Sequence, residues 1–416
     1  MKNRIRLSVD DIRVNNENAL DLFYSGIKSK ETKRTMERNL REFLVEVCAD
    51  LLKGDFEQRA QEFVNLANDE QQKTVQIILT YVMELKKRTQ CDKSDPYYLN
   101  PSTVPNKIKP IRKLLDMSGL SLAWRRIYSA YPELDNITQG RGYTLEEIKK
   151  MLEHSPDIAT DFIILASSSG GFRVGAWDNL TWGRIFPIYQ VNKEYKTELD
   201  KKEQGNIVCA GMTVYKGTPE EYHTLISIEA WNKLQEYQKI WTKKVGRLPV
   251  DSDPLILERF TKPTPITSTS VKRRIEHLLV DSGIRTPLTE GKRRHQVPAT
   301  HGFRRFWNKV MMNIQKTKGR ELAALVIKER LMGHDGVVNT DKNYFLTDIP
   351  DLVPDYLEAM PELMINDITR LQKKIDEEKA KSEKLERLNQ EKESALEKVK
   401  ELEAKVNRMA KYRLMS

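Results

Sequence analysis

The chain has 416 residues, with 70 Lys and Arg against 60 Asp and Glu, so its formal net charge is +10. This length predicts two or three domains, and the positive charge favours a polyanionic partner such as nucleic acid. Three widely spaced cysteines exclude a disulfide framework and a Cys-x-x-Cys zinc module.

The N-terminal part of the chain is expected to be helical. Residues 1–19 are interpreted as an irregular arm; the start, MKNRIRLSVDD, lacks the apolar core of a signal peptide. Apolar residues then recur with helical spacing in four segments, 32–48, 56–68, 70–89 and 103–117, before a short aromatic helix. We interpret residues 20–132 as an all-α domain with a basic face, for which a helical bundle without function is the alternative. The longest apolar run, 75–85, is too short to cross a bilayer, so we expect a cytoplasmic protein with no membrane partner.

A second domain is expected over residues 144–360. The composition of residues 133–143 indicates a linker, and the capping box TLEE begins a helix at Thr144. Helices are predicted at 144–154, 157–168, 173–180, 229–244 and 270–282, and β-strands at 185–191, 207–215 and 222–228. The predicted fold class is therefore mainly α with a small antiparallel β-sheet (α+β).

The C-terminal residues 361–416 have a different composition, in which Lys and Glu dominate and glycine is absent. One heptad frame places apolar residues at its a and d positions: Leu385, Leu388, Ala395, Val399, Leu402, Val406 and Met409. Lys392 takes the remaining position, and a different upstream frame, with Ile368, Leu371 and Ile375, places a stutter near residue 378. We expect a coiled coil here, with a single charged helix as the alternative.

Six residues form a set suited to phosphodiester chemistry without a metal: Arg173, Lys216, His301, Arg304, His334 and Tyr344. Arginine neutralises the charge that develops on the non-bridging oxygens, and histidine moves protons near neutral pH. A lysine on a hairpin can protonate a leaving oxygen, and a tyrosine hydroxyl can attack phosphorus. A P-loop, a His-Glu-x-x-His motif and a two-metal acidic cluster are all absent from the sequence, so no metal or cofactor is expected.

Each of these residues also has a structural interpretation. Arg304 with Arg305 could be a surface basic pair, and His334 could end a helix. Tyr344 beside Phe345 could belong to the core, and Lys216 before a glycine is typical of a hairpin turn. The functional interpretation depends on the order and spacing of the whole set.

That order and spacing resemble the tyrosine recombinase, or phage-type integrase, family. SGGFRVGAWDNLTW resembles its first arginine box, HGFRR its His-x-x-Arg box, and YKGTPEEYHTLIS its β-hairpin lysine. LMGH, with a tyrosine ten residues later, resembles its Leu-x-Gly-His and nucleophile segment. FYSGIKSKETKRTMERNLREFL is similar to the start of its core-binding domain, while HGFRRFW and the charged tail are most similar to archaeal or archaeal-virus integrases. The resemblance implies a helical core-binding domain at 20–132, a tyrosine-recombinase catalytic domain at 144–360 and a C-terminal coiled coil.

The resemblance also implies a role for each residue of the set. The two arginines would clamp the scissile phosphate, His301 would be its acid/base and ligand, and His334 a second donor. Lys216 would protonate the 5′-hydroxyl, and Tyr344 would form a 3′-phosphotyrosyl intermediate. DNA would then be cut and rejoined without metal or ATP.

Three features depart from the family pattern. Ala176 stands where an acidic residue is usual, so either Asp178 takes over its bracing role or nothing does. The spacing between His334 and Tyr344 is one residue longer than usual. A long charged tail replaces a short C-terminal helix.

We expect double-stranded DNA at a specific attachment or recombination site to be the partner, bound mainly through its phosphates. The candidate DNA-binding residues are Lys28, Lys33, Arg34, Arg38, Arg41, Lys292, Arg293 and Arg294. The expected function is site-specific recombination by a homotetramer on DNA, as the integrase of a mobile element or virus, with the tail as a second means of dimerisation. Such a protein would be associated with the nucleoid in the cytoplasm. If it is viral, it would lie in the cytoplasm of the host. The alternatives are a type IB topoisomerase-like DNA relaxing enzyme and a catalytically inactive DNA-binding scaffold.

Overall fold

The computed structural model describes residues 18–134, 140–261, 263–288, 295–317, 321–334 and 349–414. They divide into two compact units, an N-terminal unit (Met1–Thr138 with Leu288–Arg293) and a C-terminal unit (Gln139–Pro287 with Arg294–Ser416). Within the described ranges, no helix has the length and apolarity needed to cross a membrane.

The N-terminal unit is all-α. Its helices are α1 (Ala19–Ser25), α2 (Lys30–Arg41), α3 (Phe56–Asp69), α4 (Gln71–Gln90), α5 (Val104–Met117) and α6 (Trp124–Ser129). Helix α1 begins inside the predicted irregular arm, because the Asn18 side chain accepts from Leu20 N and caps it. Helix α2 continues as a π-helix at Glu42–Val47. The bulged π geometry keeps Phe43 and Leu44 in the core, where both are fully buried.

Among the described residues of the C-terminal unit, seven α-helices, six β-strands and two 3₁₀ segments precede the tail. The helices are α7 (Leu145–Glu153), α8 (Ile158–Gly170), α9 (Ile228–Val245), α10 (Ser268–Asp281), α11 (Ala299–Thr317), α12 (Glu321–Leu331) and α13 (Ile349–Leu363). Thr144 forms the predicted capping box with Glu147, and this prediction is confirmed. The predicted helix at 173–180 is instead a 3₁₀ segment, Val174–Asn179, because so short a run gains too little from α-helical hydrogen bonds.

A four-stranded antiparallel sheet confirms the predicted α+β class. Its strands are β1 (Ile185–Val191), β2 (Glu194–Lys196), β3 (Asn206–Val214) and β4 (Tyr222–Ser227), in the order β2-β1-β3-β4. Strand β2 was not predicted; it exists because Asn192 and Lys193 both adopt positive φ and close a two-residue turn after β1. A separate hairpin pairs β5 (Leu257–Arg259) with β6 (Thr264–Pro265).

Helix α8 is the buried centre of the C-terminal unit and packs against α9, α11 and β4. Its last turn is held by side chains from two other elements. Thr224 Oγ1 donates to Gly170 O at 2.8 Å, and Tyr356 Oη donates to Ser169 O at 3.0 Å. The C-terminus of α8 is therefore a fixed point from which neighbouring residues can be positioned.

The tail is one continuous helix, α14 (Asp367–Leu414), of 48 residues. It begins directly after α13, and the side chain of Glu229 accepts hydrogen bonds from Ile365 N and Asn366 N at 2.8 and 2.9 Å. The helix crosses the predicted stutter near residue 378 without interruption.

Candidate active site

The C-terminal end of α12 determines the position of His334. Gly333 adopts φ +63°, its N–H donates to Arg330 O at 2.9 Å, and His334 N–H donates to Glu329 O at 3.0 Å. These two bonds form a Schellman motif that ends α12. The Leu-x-Gly-His segment is thus a helix terminus in which glycine supplies the left-handed residue and histidine follows in a fixed position.

Arg304 lies in the interior of this site and is only 4% exposed. Its Nη1 donates to Gly171 O at 2.6 Å, and its Nη2 donates to Met332 O at 2.8 Å. Burial lowers the pKa of this guanidinium, although arginine keeps its charge at neutral pH. The interpretation of Arg304 as a surface basic residue is therefore wrong.

Arg173, in the segment after α8, contacts the same C-terminal end of α12. It lies two residues after the αL cap of α8, where Gly171 has φ +60°. Its Nη1 donates to Gly333 O at 3.4 Å, and the residue is otherwise exposed. The two predicted arginines, 131 positions apart (304 − 173), thus meet around the C-termini of α8 and α12.

Backbone carbonyls hold both arginines. Gly171 O belongs to the C-terminus of α8, and Met332 O and Gly333 O belong to that of α12, where helix dipoles place partial negative charge. Among the ion pairs of the described residues, none involves Arg173 or Arg304. Asp178 does not brace Arg173; its carboxylate accepts from Ser268 N and Oγ at 2.6 and 2.8 Å and caps α10. The acceptors that hold these two arginines are therefore backbone carbonyls of the two helix ends.

His334 orients Arg304 through its ring. Its Nδ1 donates a short hydrogen bond to the Glu329 carboxylate, and its Nε2 lies 2.8 Å from Arg304 Nη2. A carboxylate can only accept and a guanidinium can only donate, so the ring is the neutral Nδ1–H tautomer. In this geometry Nε2 accepts from Arg304, so His334 positions the arginine and has no proton on Nε2 to donate.

Glu329 is a site residue that the sequence interpretation missed. Burial would raise its pKa, but hydrogen bonds from Lys328 and His334 outweigh this and lower it below the ordinary value of 4.5. Glu329 therefore stays ionised at neutral pH and holds the histidine tautomer. Its position five residues before a Gly-His helix end, with a basic residue just before it, is the signal that could have found it.

His301 lies in the first turn of α11, one turn before Arg304 and on the same face. Tyr143 Oη donates to Ala299 O at 2.6 Å and fixes this turn, with the Tyr143 ring packed on Gly302. Partial burial, and then the charges of Arg305, Arg304 and Arg173, lower the pKa of His301 below 6.5. The exposed ring is therefore neutral at pH 7 and can accept a proton.

We expect an NMR titration of the His301 ring, assigned by loss of its signal in His301→Gln, to have a midpoint below pH 6.5. Added DNA should move this midpoint upward, because phosphate charge offsets the three arginines. Since the folded pKa lies below the unfolded value, His301 should make the protein less stable as pH falls below about 6.5. A midpoint at or above 6.5 in the free protein would contradict this geometry.

The β3–β4 hairpin brings two tyrosines to the site and carries Lys216 in its turn. Lys216 is exposed in the turn, which Tyr215 enters at φ +56° and Gly217 at φ +81°. Tyr215 is half-buried, and a Cβ on Gly175 would lie 3.0 Å from its hydroxyl. Burial raises the pKa of Tyr215, while the charges of Arg173 and Arg304 lower it.

Tyr222, at the start of β4, forms the wall behind the arginines. Its ring packs against Gly333, where a Cβ would approach to 2.4 Å, and it meets the Tyr215 ring edge-on at 6.1 Å. Its hydroxyl is buried beside the Arg304 guanidinium and the Arg173 backbone. Burial raises the Tyr222 pKa to about 12, although both of these neighbours lower it, so the hydroxyl stays neutral. Neither tyrosine was singled out from the sequence, where each looks like an ordinary strand residue.

Several predicted site residues lie elsewhere or outside the described part of the chain. Tyr344, Lys292, Arg293 and Arg294 lie outside the described residues. The candidate DNA-binding residues of the N-terminal unit are exposed on or just before α2: Lys28, Lys33, Arg34, Arg38 and Arg41. In the described ranges, His, Cys, Asp and Glu side chains form no group able to hold a metal ion.

No family model and no curated protein sequence matches this chain. Among solved structures, it is similar to a lambda integrase dimer bound to a COC′ core site (13% identity, TM-score 0.44, covering 78% of this chain and 91% of that one). It is also similar to the Tn1549 transposon integrase with transposon right end DNA (12%, 0.43, 81% and 98%). A third is the XerA recombinase (15%, 0.32, 86% and 97%).

Proposed function

We propose that the chain is a tyrosine recombinase, an integrase that cuts and rejoins duplex DNA at a specific site. The observation that carries this proposal is the meeting of Arg173, Arg304, His301 and His334 around two helix C-termini. Four residues singled out for one reaction, from three distant segments, lie within one electropositive site. A set of unrelated structural residues would have no reason to converge there.

The described geometry supports a division of chemical roles. Arg304, fixed by two carbonyls and His334, supplies a pre-positioned charge for a non-bridging phosphate oxygen. Arg173, exposed and with one long bond, is free to close on the second oxygen. His301 is neutral and exposed beside them, as a base or phosphate ligand requires.

The remaining steps belong to Lys216 and Tyr344. Tyr344 Oη gives its proton to the neutral His301 ring and attacks phosphorus, the bond to the 5′-oxygen breaks, and Lys216 gives that oxygen a proton. The phosphotyrosyl ester keeps the bond energy, so a 5′-hydroxyl can reverse the step without ATP. Exchange between two duplexes requires four cuts, and this favours a tetramer of one-site protomers.

A groove in the N-terminal unit supports the duplex-binding part of the proposal, because three cationic side chains line it, although Lys107 is paired with Glu42. The groove has a volume of about 650 Å³, lies between α2 and α5, and is lined by Arg38, Lys107, Lys109, Thr32 and Asn106, among others. Polar and cationic side chains of this kind bind phosphate oxygens, and duplex affinity should fall steeply as salt rises. Lys292, Arg293 and Arg294 are proposed as further phosphate contacts.

The test is trapping of a covalent adduct. The full chain is incubated with a pool of nicked duplexes of randomised sequence, in which the cut fragment is lost by diffusion, and adducts are resolved on a denaturing gel. We expect a protein–DNA adduct from the wild type and none from Tyr344→Phe, because the phenyl ring has no nucleophilic oxygen.

Tyr215→Phe is the matched control, because Tyr215 also brings a hydroxyl near both arginines. This variant should still form the adduct. An adduct that survives Tyr344→Phe but is lost in Tyr215→Phe would identify Tyr215 as the nucleophile. Absence of any adduct from the wild type, while the protein binds DNA, would refute strand transfer and favour a scaffold.

A further inference from the structure

An apolar stripe on α14 is exposed to solvent along most of its length. Leu385, Leu388, Val399 and Leu402 occupy a and d positions and are 61%, 51%, 53% and 61% exposed. Leu396, at the adjacent e position, is 52% exposed and widens the stripe. Large aliphatic side chains at a strict heptad spacing are typical of a helix that buries this face against another helix.

The base of α14 is fixed to the C-terminal unit, and the stripe beyond it is not covered. Besides the Glu229 cap of Ile365 and Asn366, Lys149 Nζ contacts the Asp367 carboxylate at 2.7 Å. Both anchors lie at the first residue of the helix or just before it. The stripe therefore belongs to a firmly attached extension and faces outward from it.

The residues of the stripe specify a second copy of this chain as the occupant. β-Branched Val399 at an a position followed by Leu402 at d favours two parallel strands, and Lys392 at a further a position disfavours larger bundles, whose cores would bury its ammonium. In the sequence, Lys398 at g and Glu403 at the next e position have opposite charges, which a parallel register brings together. An antiparallel pairing centred on this segment would instead place Lys398 against its own copy.

We propose that the segment of α14 from residue 385 to residue 409 pairs in parallel with the same segment of a second copy, which joins two C-terminal units in the absence of DNA. The proposal does not depend on recombinase chemistry. It concerns a surface remote in sequence from Arg173, Arg304 and Tyr344, so strand cleavage and pairing can fail independently.

Sedimentation equilibrium of the full chain without DNA provides the test. Leu388→Glu with Val399→Glu places charges on the stripe, whereas the control, Gln390→Glu with Ser394→Glu, adds the same charge at exposed positions on the other side. We expect wild type and control to have twice the mass of the 48.4 kDa chain, and the stripe variant to associate at least tenfold more weakly. The proposal would be overturned if the wild type were monomeric at about 100 μM, or if the stripe variant associated as strongly as the control. A melting temperature equal to that of the control shows that the stripe variant is folded.

Cross-linking tests the direction of pairing. In a Cys91→Ser background, Leu388→Cys should form a disulfide-linked dimer on mild oxidation, because d positions face each other in a parallel pair. Gln390→Cys, outside the stripe, should not. An antiparallel pair would leave Leu388→Cys opposite Val406 and unlinked, which would refute the parallel arrangement. Adduct formation by the stripe variant should equal that of the control.

Discussion

Arg304→Lys is expected to lower both DNA cleavage and stability, although it preserves the charge. Lysine cannot reproduce the fork that reaches Gly171 O, Met332 O and His334 Nε2 together. Loss of one pre-positioned donor in a phosphate or oxyanion site typically slows reaction on the order of 10²- to 10³-fold. A buried carbonyl left without its partner costs roughly 1–3 kcal/mol, so we expect the free energy of unfolding to fall by about 2–4 kcal/mol.

Arg173→Lys is the matched comparison for this prediction. Arg173 is exposed and makes one bond of 3.4 Å, so its replacement should slow cleavage by a similar order but change stability by less than about 1 kcal/mol. Urea unfolding and single-turnover adduct formation measure the two effects. Equal destabilisation by both variants would show that the carbonyl clamp on Arg304 contributes little.

Gly171→Ala is expected to disrupt the site by disturbing the backbone that holds Arg304. Gly171 has φ +60°, and an added Cβ would lie 2.5 Å from the ring of Trp307, which is fully buried. A left-handed alanine costs roughly 1–2 kcal/mol, and overpacking against a buried ring adds about 1–3 kcal/mol. Because Gly171 O also holds Arg304, we expect adduct formation to fall on the order of tenfold or more.

Gly246→Ala separates backbone strain from the clash. Gly246 caps α9 with φ +85°, and nothing lies within 4 Å of an added Cβ. This variant should lose only the roughly 1–2 kcal/mol of left-handed strain and keep full activity. If the two variants were equally stable and equally active, contact between Trp307 and Gly171 would not constrain Arg304.

Much of the fold could be predicted from the sequence, because its periodicity is strong. The helices around Phe63, Ile78 and Ile111 and the three longer strands lie where apolar spacing predicted them. Capping chemistry located the start of α7 at Thr144, since a threonine followed by glutamate satisfies backbone donors locally. Strand β2 was missed because its turn depends on positive φ at Asn192 and Lys193, which a charged insert does not reveal.

The site could be predicted in its residues but not in its contacts. The spacing of His301 and Arg304 places both on one helix face, and this local rule is readable from sequence. The carbonyls of Gly171 and Met332, and the wall formed by Tyr222, are contacts between segments distant in the chain. Their chemistry is that of the backbone or of an ordinary strand residue, so no side-chain pattern marks them.

The assembly of the site from separated segments also bears on how the protein is made. Arg173 and its acceptor Gly333 are 160 residues apart, so a ribosome adding 5–20 residues per second needs roughly 8–30 s to supply both. Until α12 emerges, Arg304 lacks two of its three partners. Under the proposed function, a nascent or truncated chain that already exposes the basic face of α2 would bind DNA before it could break a strand. A premature stop upstream of α12 would then yield a protein that binds DNA without cutting it.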